Sequence, residues 1–252
     1  MKKIKFKFLG TGGNQLMAEL DLPEGEVKYY ALFTTCFTCS KNLRAVKYIA
    51  QSLNKHGIAL LRFDFPGLGE SEGDFSKTSY STNLENIRLA YKYLENNYQA
   101  PKLLIGHSLG GAAALKLSME LKAVKAIATI AAANSPAHLA KVLWRNRDEA
   151  KEKGYSIKII GGVKFKLTNE FFEDLYANGL THDLSKVTKP TLTLYSPDDN
   201  TIEHKYSFKN FTDTSGQNSY ISLNNMGHLM NNPKDANHVG NLIAIWSKAY
   251  CI

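Results

Sequence analysis

The stretch "KLLIGHSLGG", residues 102–111, runs an apolar strand straight into a histidine and a serine and crowds three glycines around them. A serine at the end of a strand is ordinarily a turn residue or a helix N-cap. Here the spacing Gly106-His107-Ser108-Leu109-Gly110 fits G-x-S-x-G. A strand that turns sharply into a helix forces the serine into a strained backbone conformation, and only small neighbours let that turn close. The strain lifts the hydroxyl above the sheet. The helix behind it, rich in Ala112, Ala113 and Ala114, points its N-terminal N–H groups at any anion forming there.

A serine hydroxyl is a poor nucleophile until a base takes its proton, so a histidine and an orienting acid are expected downstream. "NNMGHLM" places His228 in a loop after the last expected strand, and "LYSPDDNTI" places Asp198 and Asp199 just after the strand before it. The order serine, acid, histidine is that of an α/β-hydrolase. The residues alone leave Asp198 and Asp199 both open as the acid. The histidines at 56, 107, 138, 182, 204 and 238 fall in expected helices, loops or the turn itself and are read as surface or structural.

Working outward, apolar runs predict strands near 2–8, 15–21, 28–35, 58–64, 102–107, 124–131, 190–196 and 218–223. Helical spacing of Leu43, Val46, Ile49, Ala50 and Leu53 predicts a helix over 41–55, with Ser40 as its cap and Gly57 just past its end. Two more follow over 79–97 and about 234–249. Strands that come first consecutively and then alternate with helices predict an α/β protein, a mostly parallel eight-stranded sheet flanked by helices with an antiparallel N-terminal edge. From 135 to 187 the alternation breaks. A helical stretch around "HLAKVLW" is followed by two alternating runs flanking Gly161-Gly162, a hairpin signal, and then by a helix opening at Thr168. This reads as a small helix-plus-hairpin cap, 135–187, set into a core made of 1–134 and 188–252. It would sit over the carboxyl ends of the strands, where open α/β sheets bind ligands.

Composition sets limits on the rest. Hydrophobic residues make up 44% and charged residues 21% of 252 positions, as in ordinary globular proteins. The net charge of +8 is spread over 31 Lys and Arg with no run longer than two, so it reads as solvation and predicts no nucleic-acid or membrane partner. The N-terminus starts basic like a signal peptide, yet its lysines alternate with Ile4, Phe6 and Phe8, a strand pattern. No apolar run approaches the ~20 residues of a membrane span. Three cysteines do not make a disulfide framework, and a reducing cytoplasm is the expected location.

The chain resembles the bacterial α/β-hydrolases found fused to, or beside, OsmC-type domains. The resemblance runs through "CFTCSKNL" (36–43), "GIALLRFDFPGLGESEGDF" (57–75), "IGHSLGGAA" (105–113), "SPDDNT" (196–201) and "GHLMNNPKDA" (227–236), most of the chain. The sequence ends at Ile252, just after its last expected helix, so the OsmC-type partner is expected to lie outside it. The cap is similar to that of cinnamoyl and feruloyl esterases. The resemblance implies a serine esterase with Ser108 as nucleophile, His228 as base and Asp199 as acid, Asp198 then being structural. It also implies an oxyanion hole from the backbone N–H groups of Phe37 and Leu109. Thr35 and Tyr195 depart from it, standing where the family more often has histidines.

The expected function is cleavage of short-chain or small aryl carboxylic esters by a monomer or homodimer, with no metal and no organic cofactor. Trp144, Phe171, Phe172 and Leu175 are candidates for the substrate pocket, although at least half of them are expected to be cap core. "DFPGLGESEG" carries Gly67, Gly69 and Gly73, one residue too long for a dinucleotide fingerprint, and reads as a tight loop near the active-site mouth. The alternative function is a non-catalytic or redox-partner protein of the same fold that uses the C-x-x-C pair Cys36 and Cys39. Cys251 is read as incidental.

Overall fold

The computed structural model describes residues 2–252. The chain begins with two antiparallel strands, β1 (Lys2–Leu9) and β2 (Gln15–Leu22), and continues through β3 (Tyr29–Thr34), α1 (Arg44–Lys55) and β4 (Ile58–Phe63). Then come α2 (Tyr80–Asn97), β5 (Leu103–His107), α3 (Leu109–Ser118) and β6 (Ala126–Ile130). The next segment leaves the sheet as α4 (Ala137–Val142), α5 (Trp144–Lys153), a hairpin of β7 (Tyr155–Ile160) and β8 (Val163–Thr168), and α6 (Asn169–Leu180). The chain returns through β9 (Thr191–Tyr195), α7 (His204–Thr212), β10 (Asn218–Ser222) and α8 (Pro233–Cys251).

The eight strands anticipated from apolar runs form one sheet in the order β1-β2-β4-β3-β5-β6-β9-β10. It is parallel from β4 through β10 and antiparallel at β1, β2 and the β2–β4 seam. Its inner strands are buried on both faces, so side chains of one strand feed two cores. Leu32 and Leu104 pack with α2, α3 and the cap. Ala31, Phe33, Leu103 and Ile105 pack with α1 and α8. α3 is buried on nearly every side and built of glycine, alanine and leucine, which lets it lie close against β5.

α1 starts at Arg44, later than its apolar period suggests, and Ser40 does not cap it. The reason is a tertiary pull on Lys41. Its backbone N–H donates to Asp64 Oδ1 at 2.6 Å and its carbonyl accepts from Arg62 at 2.6 Å, so this peptide cannot join the helix. Lys41 and Arg62 are fully buried, as are Asp21 and Asp64, with Glu19 nearly so. Lys41 Nζ meets Asp64 Oδ2 at 2.7 Å and also pairs with Glu70, while Arg62 Nε meets Asp21 Oδ2 at 2.7 Å and its other arm reaches Glu19. Stripping water from such groups costs several kcal/mol each, which only dense mutual pairing offsets. The glycine-rich loop after β4 completes the arrangement. Gly69 has φ +55°, and a Cβ there would lie 2.2 Å from Asp64 Oδ2, so only glycine lets the Glu70 N–H reach that carboxylate at 3.0 Å.

The segment between β6 and β9 folds back onto α2 and α3. β7 and β8 turn at Gly161 and Gly162, both at positive φ, as two-residue hairpins favour. Thr168 caps α6 by accepting from the Phe171 N–H. Phe165, Leu167, Phe171, Phe172 and Leu175 join the same apolar cluster as α2 and α3. Polar ties add direction, with Asp174 accepting from the Ser81 N–H at 2.9 Å and its hydroxyl at 2.5 Å.

Candidate active site

Ser108 lies at the junction of β5 and α3 with φ 56° and ψ −122°, a conformation that costs a non-glycine residue roughly 1–3 kcal/mol. The turn closes because Gly106 and Gly110 carry no side chains. A Cβ on Gly106 would lie 2.4 Å from the Gly110 carbonyl oxygen, and one on Gly110 would lie 2.3 Å from that of Thr34. The other non-glycine residues at positive φ are Ala131, Asn225 and Met230. Ala131 follows β6, and the latter two flank His228, so backbone strain among the described residues concentrates around this one place.

His228 Nε2 stands 3.1 Å from Ser108 Oγ, and its Nδ1 stands 2.8 Å from Asp199 Oδ2. Asp199 accepts also from the N–H groups of Thr201 (2.7 Å) and Ile202 (3.0 Å) through its other oxygen. Burial would raise this carboxyl, but the hydrogen bond and charge of His228 and the two N–H donors outweigh it and hold the group below its ordinary value. An ionised Asp199 keeps the proton of His228 on Nδ1 and leaves Nε2 free to accept from the serine hydroxyl. Asp198 lies outside this chain of bonds, exposed, with its Oδ2 accepting the Asn225 N–H at 2.6 Å. It braces the front of the histidine loop.

The loop after β3 lies beside the nucleophile turn. Thr34 Oγ1 donates to the Gly110 carbonyl at 2.7 Å, binding the loop to α3. Thr35 Oγ1 donates to the Cys39 carbonyl, and Cys39 N–H donates to the Cys36 carbonyl, forming a tight turn whose second residue is Phe37. Cysteines that composition read as making no disulfide framework do pair locally, since Cys36 and Cys39 are joined by a disulfide across this turn. Cys251 is buried at the far end of α8. The N–H groups of Phe37 and Leu109 take no part in the backbone hydrogen bonds of turns and loops. Tyr195 ends β9 in an aromatic stack with Tyr220 and His204, supporting the acid loop.

The four pocket candidates separate. Phe171 also belongs to the apolar cluster, but its ring lies 5.3 Å from that of Phe37, tilted by 36°, and so borders the site. Phe172 and Leu175 are withdrawn into the apolar cluster under the cap, because α6 turns that face inward onto α2 and α3. Trp144 turns the other way, toward solvent. It is 52% exposed at the start of α5, with the Arg145 guanidinium over its ring. Among the described residues, no group of three or more His, Cys, Asp or Glu side chains is arranged to hold a metal ion. Among the described residues, no helix is long and apolar enough to cross a membrane.

His107, read from sequence as surface or structural, is fully buried beside this site, and its Nε2 stands 2.8 Å from the carbonyl oxygen of His228. Burial, aided by the neighbouring His228, pushes its ring down to about 3. Burial, aided by Lys116, likewise pushes His182 down to about 4.

Comparison with known proteins bears on the family and the fold. Residues 40–145 match the family described as serine aminopeptidase, S33. The crystal structure of the esterase domain of a Rhodothermus marinus protein is 35% identical, with all of both chains covered and a TM-score of 0.79. Est1E from Butyrivibrio proteoclasticus, solved with ferulic acid bound, is 19% identical over 97% of this chain and 99% of its own, with a TM-score of 0.75. Mouse alpha/beta hydrolase domain-containing protein 10 is 18% identical over 98% and 99%, with a TM-score of 0.81. The last two carry the fold alone. A search of curated proteins returns no match.

The two depressed histidines predict an acid limb in stability. In the unfolded chain they protonate near 6.5 and in the folded one only near 3 and 4. The unfolded state therefore binds protons first, and the stability present above that pH is lost as pH falls through the interval. Tm should decline steadily from about pH 6.5 towards pH 4, and His182→Gln should flatten part of the decline. A Tm that holds level across this window would refute the assignment.

Proposed function

The chain belongs to the α/β-hydrolase superfamily, and from that premise we propose that it is a serine carboxylesterase acting on short-chain or small aryl esters through an acyl-serine intermediate. The observation that carries the reading is the unbroken hydrogen-bonded run from Ser108 through His228 to Asp199, built on a strained turn. Ser108 Oγ attacks the ester carbonyl carbon while His228 Nε2 takes its proton. The charge that develops on the carbonyl oxygen is received by the N–H groups of Phe37 and Leu109 at the N-terminus of α3. His228 then returns the proton to the departing alkoxide, and water repeats the sequence on the acyl-serine. These steps call only on side chains, backbone and water.

A serine-directed fluorophosphonate should label the protein once, at Ser108. His228→Ala and Asp199→Asn should each lower ester turnover on the order of 10⁴-fold, by removing the base or its orienter. Asp198→Asn should cost far less, because its carboxylate braces a backbone N–H and touches no reacting group. An intact protein that stays unlabelled with Ser108 accessible would remove the hydrolase assignment. Greater damage from Asp198→Asn than from Asp199→Asn would move the acid by one residue.

The cap sets the expected size of the acyl group. Of its four aromatic and aliphatic candidates, Phe172 and Leu175 are committed to packing and Trp144 turns to solvent, which leaves Phe171, beside Phe37, to meet the substrate. Each methylene that finds apolar cover adds about 0.8 kcal/mol, so kcat/KM should climb with acyl length until the space is full. A 4-nitrophenyl ester series should peak at roughly two to six carbons, with small aryl acyl groups as the other class. A maximum at about twelve carbons or more would overturn this account of the cap.

The Cys36–Cys39 bond favours a second reading, in which the pair takes part in thiol–disulfide exchange. If the bond serves only to shape the turn that carries Phe37, replacing both cysteines with serine lowers turnover modestly and cycling between reductant and oxidant leaves activity unswitched. Reversible switching that follows the making and breaking of this bond would establish the second reading.

A further inference from the structure

We propose that His107 is a positioning residue for the catalytic base, its imidazole Nε2–H donating to the backbone carbonyl of His228 so that nucleophile and base are held by one closed ring of bonds. The inference rests on the esterase reading above and adds to it a residue that the hydrolytic steps do not themselves use.

The ring closes through two adjacent residues. His107 ends β5 and Ser108 follows it. From His107 the side chain reaches His228 O at 2.8 Å, and from His228 the side chain returns to Ser108 Oγ at 3.1 Å. The two imidazoles lie 4.9 Å apart. His107 is paired along its backbone with Ile130 on β6 and has no exposed surface, so it is as fixed as any group in the central sheet.

The loop that carries His228 is anchored in the core by Met226 and Met230, which are buried in the apolar cluster with α1 and α8, but it has no ladder of backbone bonds like that of β5. Residues 223–231 form no strand or helix, and two of them, Asn225 at φ 60° and Met230 at φ 48°, are strained. Its polar braces are few and specific. The Leu223 N–H donates to Tyr195 O, the Asn225 N–H to Asp198, and the Met230 N–H to Gly227 O. The only bond to the backbone of His228 from the nucleophile's own strand is that from His107.

The chemistry of the partner sets the tautomer. A carbonyl oxygen only accepts, so the His107 proton sits on Nε2 and Nδ1 is bare. Nδ1 is indeed buried with no hydrogen-bond partner, the site of an acceptor left without a donor. The protein tolerates this because the other nitrogen is used. A neutral ring fits as well, since burial and the nearness of His228 push His107 far below the range where it would gain a second proton. A second positive charge beside His228 would oppose the imidazolium that forms when Ser108 attacks.

Two substitutions separate the hydrogen bond from the space the ring fills. His107→Met keeps volume and removes the donor. His107→Gln places an amide Nε2 where the imidazole nitrogen stood. In His107→Met, kcat should fall about 10- to 100-fold with KM nearly unchanged, as for a misplacement of the base by a fraction of an ångström. In His107→Gln, kcat should return to within about threefold of the native value. Hydrogen exchange of residues 223–231, read by mass spectrometry, should be faster in His107→Met than in the native protein or His107→Gln. That measurement does not need a substrate. A native protein that cleaves no ester but shows this exchange pattern therefore discards the esterase reading and keeps the positioning role. On the native protein alone, long-range ¹H–¹⁵N spectra should find the His107 proton on Nε2, which decides the matter even if a variant does not fold. Equal kcat loss in both variants, equal exchange in all three proteins, or a proton on Nδ1 would each overturn the proposal.

Discussion

The structure depends on how closely backbone can approach backbone where β5 turns into α3. The carbonyls of Thr34, Thr35 and Gly110 crowd a space in which a single added Cβ at Gly106 or Gly110 would lie within about 2.5 Å of oxygen. That crowding has three results. It holds Ser108 at positive φ between β5 and α3, sets the first turn of α3 directly behind its hydroxyl, and draws the β3 loop, with Phe37, alongside. The geometry needed for an attacking oxygen, a helix N-terminus and a backbone donor therefore comes from one packing event. Its cost is met by the apolar sheet on both faces of the turn.

A second constraint holds the same loop from its other end. Lys41 is gripped at its N–H by Asp64, at its carbonyl by Arg62 and at its ammonium by Asp64 and Glu70. Ionised groups with no exposed surface are a costly way to hold a peptide, and an apolar cluster of equal volume would often be as stable. Directional bonds fix a backbone in a way apolar packing does not. Here they decide where α1 begins and how much chain is left between β3 and that helix. The loop that results is tied at Thr34, Cys39 and Lys41, which leaves Phe37 little freedom beside the nucleophile.

On the opposite side of Ser108 Met226 and Met230 sink the His228 loop into the core, and the remaining supports are polar. Asp199 orients the His228 ring, Asp198 braces the loop at Asn225, and His107 reaches its backbone. The contrast fits a base that must stay aligned through successive proton transfers while lying on a loop with no regular structure. The segment between β6 and β9 spends most of its aromatic surface on its own adhesion to α2 and α3.

Much of this was legible in one dimension. Long apolar strands, the helical period of α2 and α8, the glycine pair of the hairpin and the G-x-S-x-G turn are local patterns whose physical cause lies within a few residues, so the sheet, the β7–β8 hairpin and the strained turn at Ser108 could be read directly. His228 and an aspartate after β9 followed from chemistry, because a serine without a base is inert. Tertiary structure decided what depends on residues far apart in the chain. Ser40 fails to cap α1 because Asp64 and Arg62 claim Lys41 from 23 and 21 positions away. Trp144 turns to solvent while Phe172 turns inward, a choice made by how α5 and α6 dock and not by their composition. His107 was unreadable for the same reason. Its partner is a backbone carbonyl 121 residues downstream, and a carbonyl leaves no mark in a sequence.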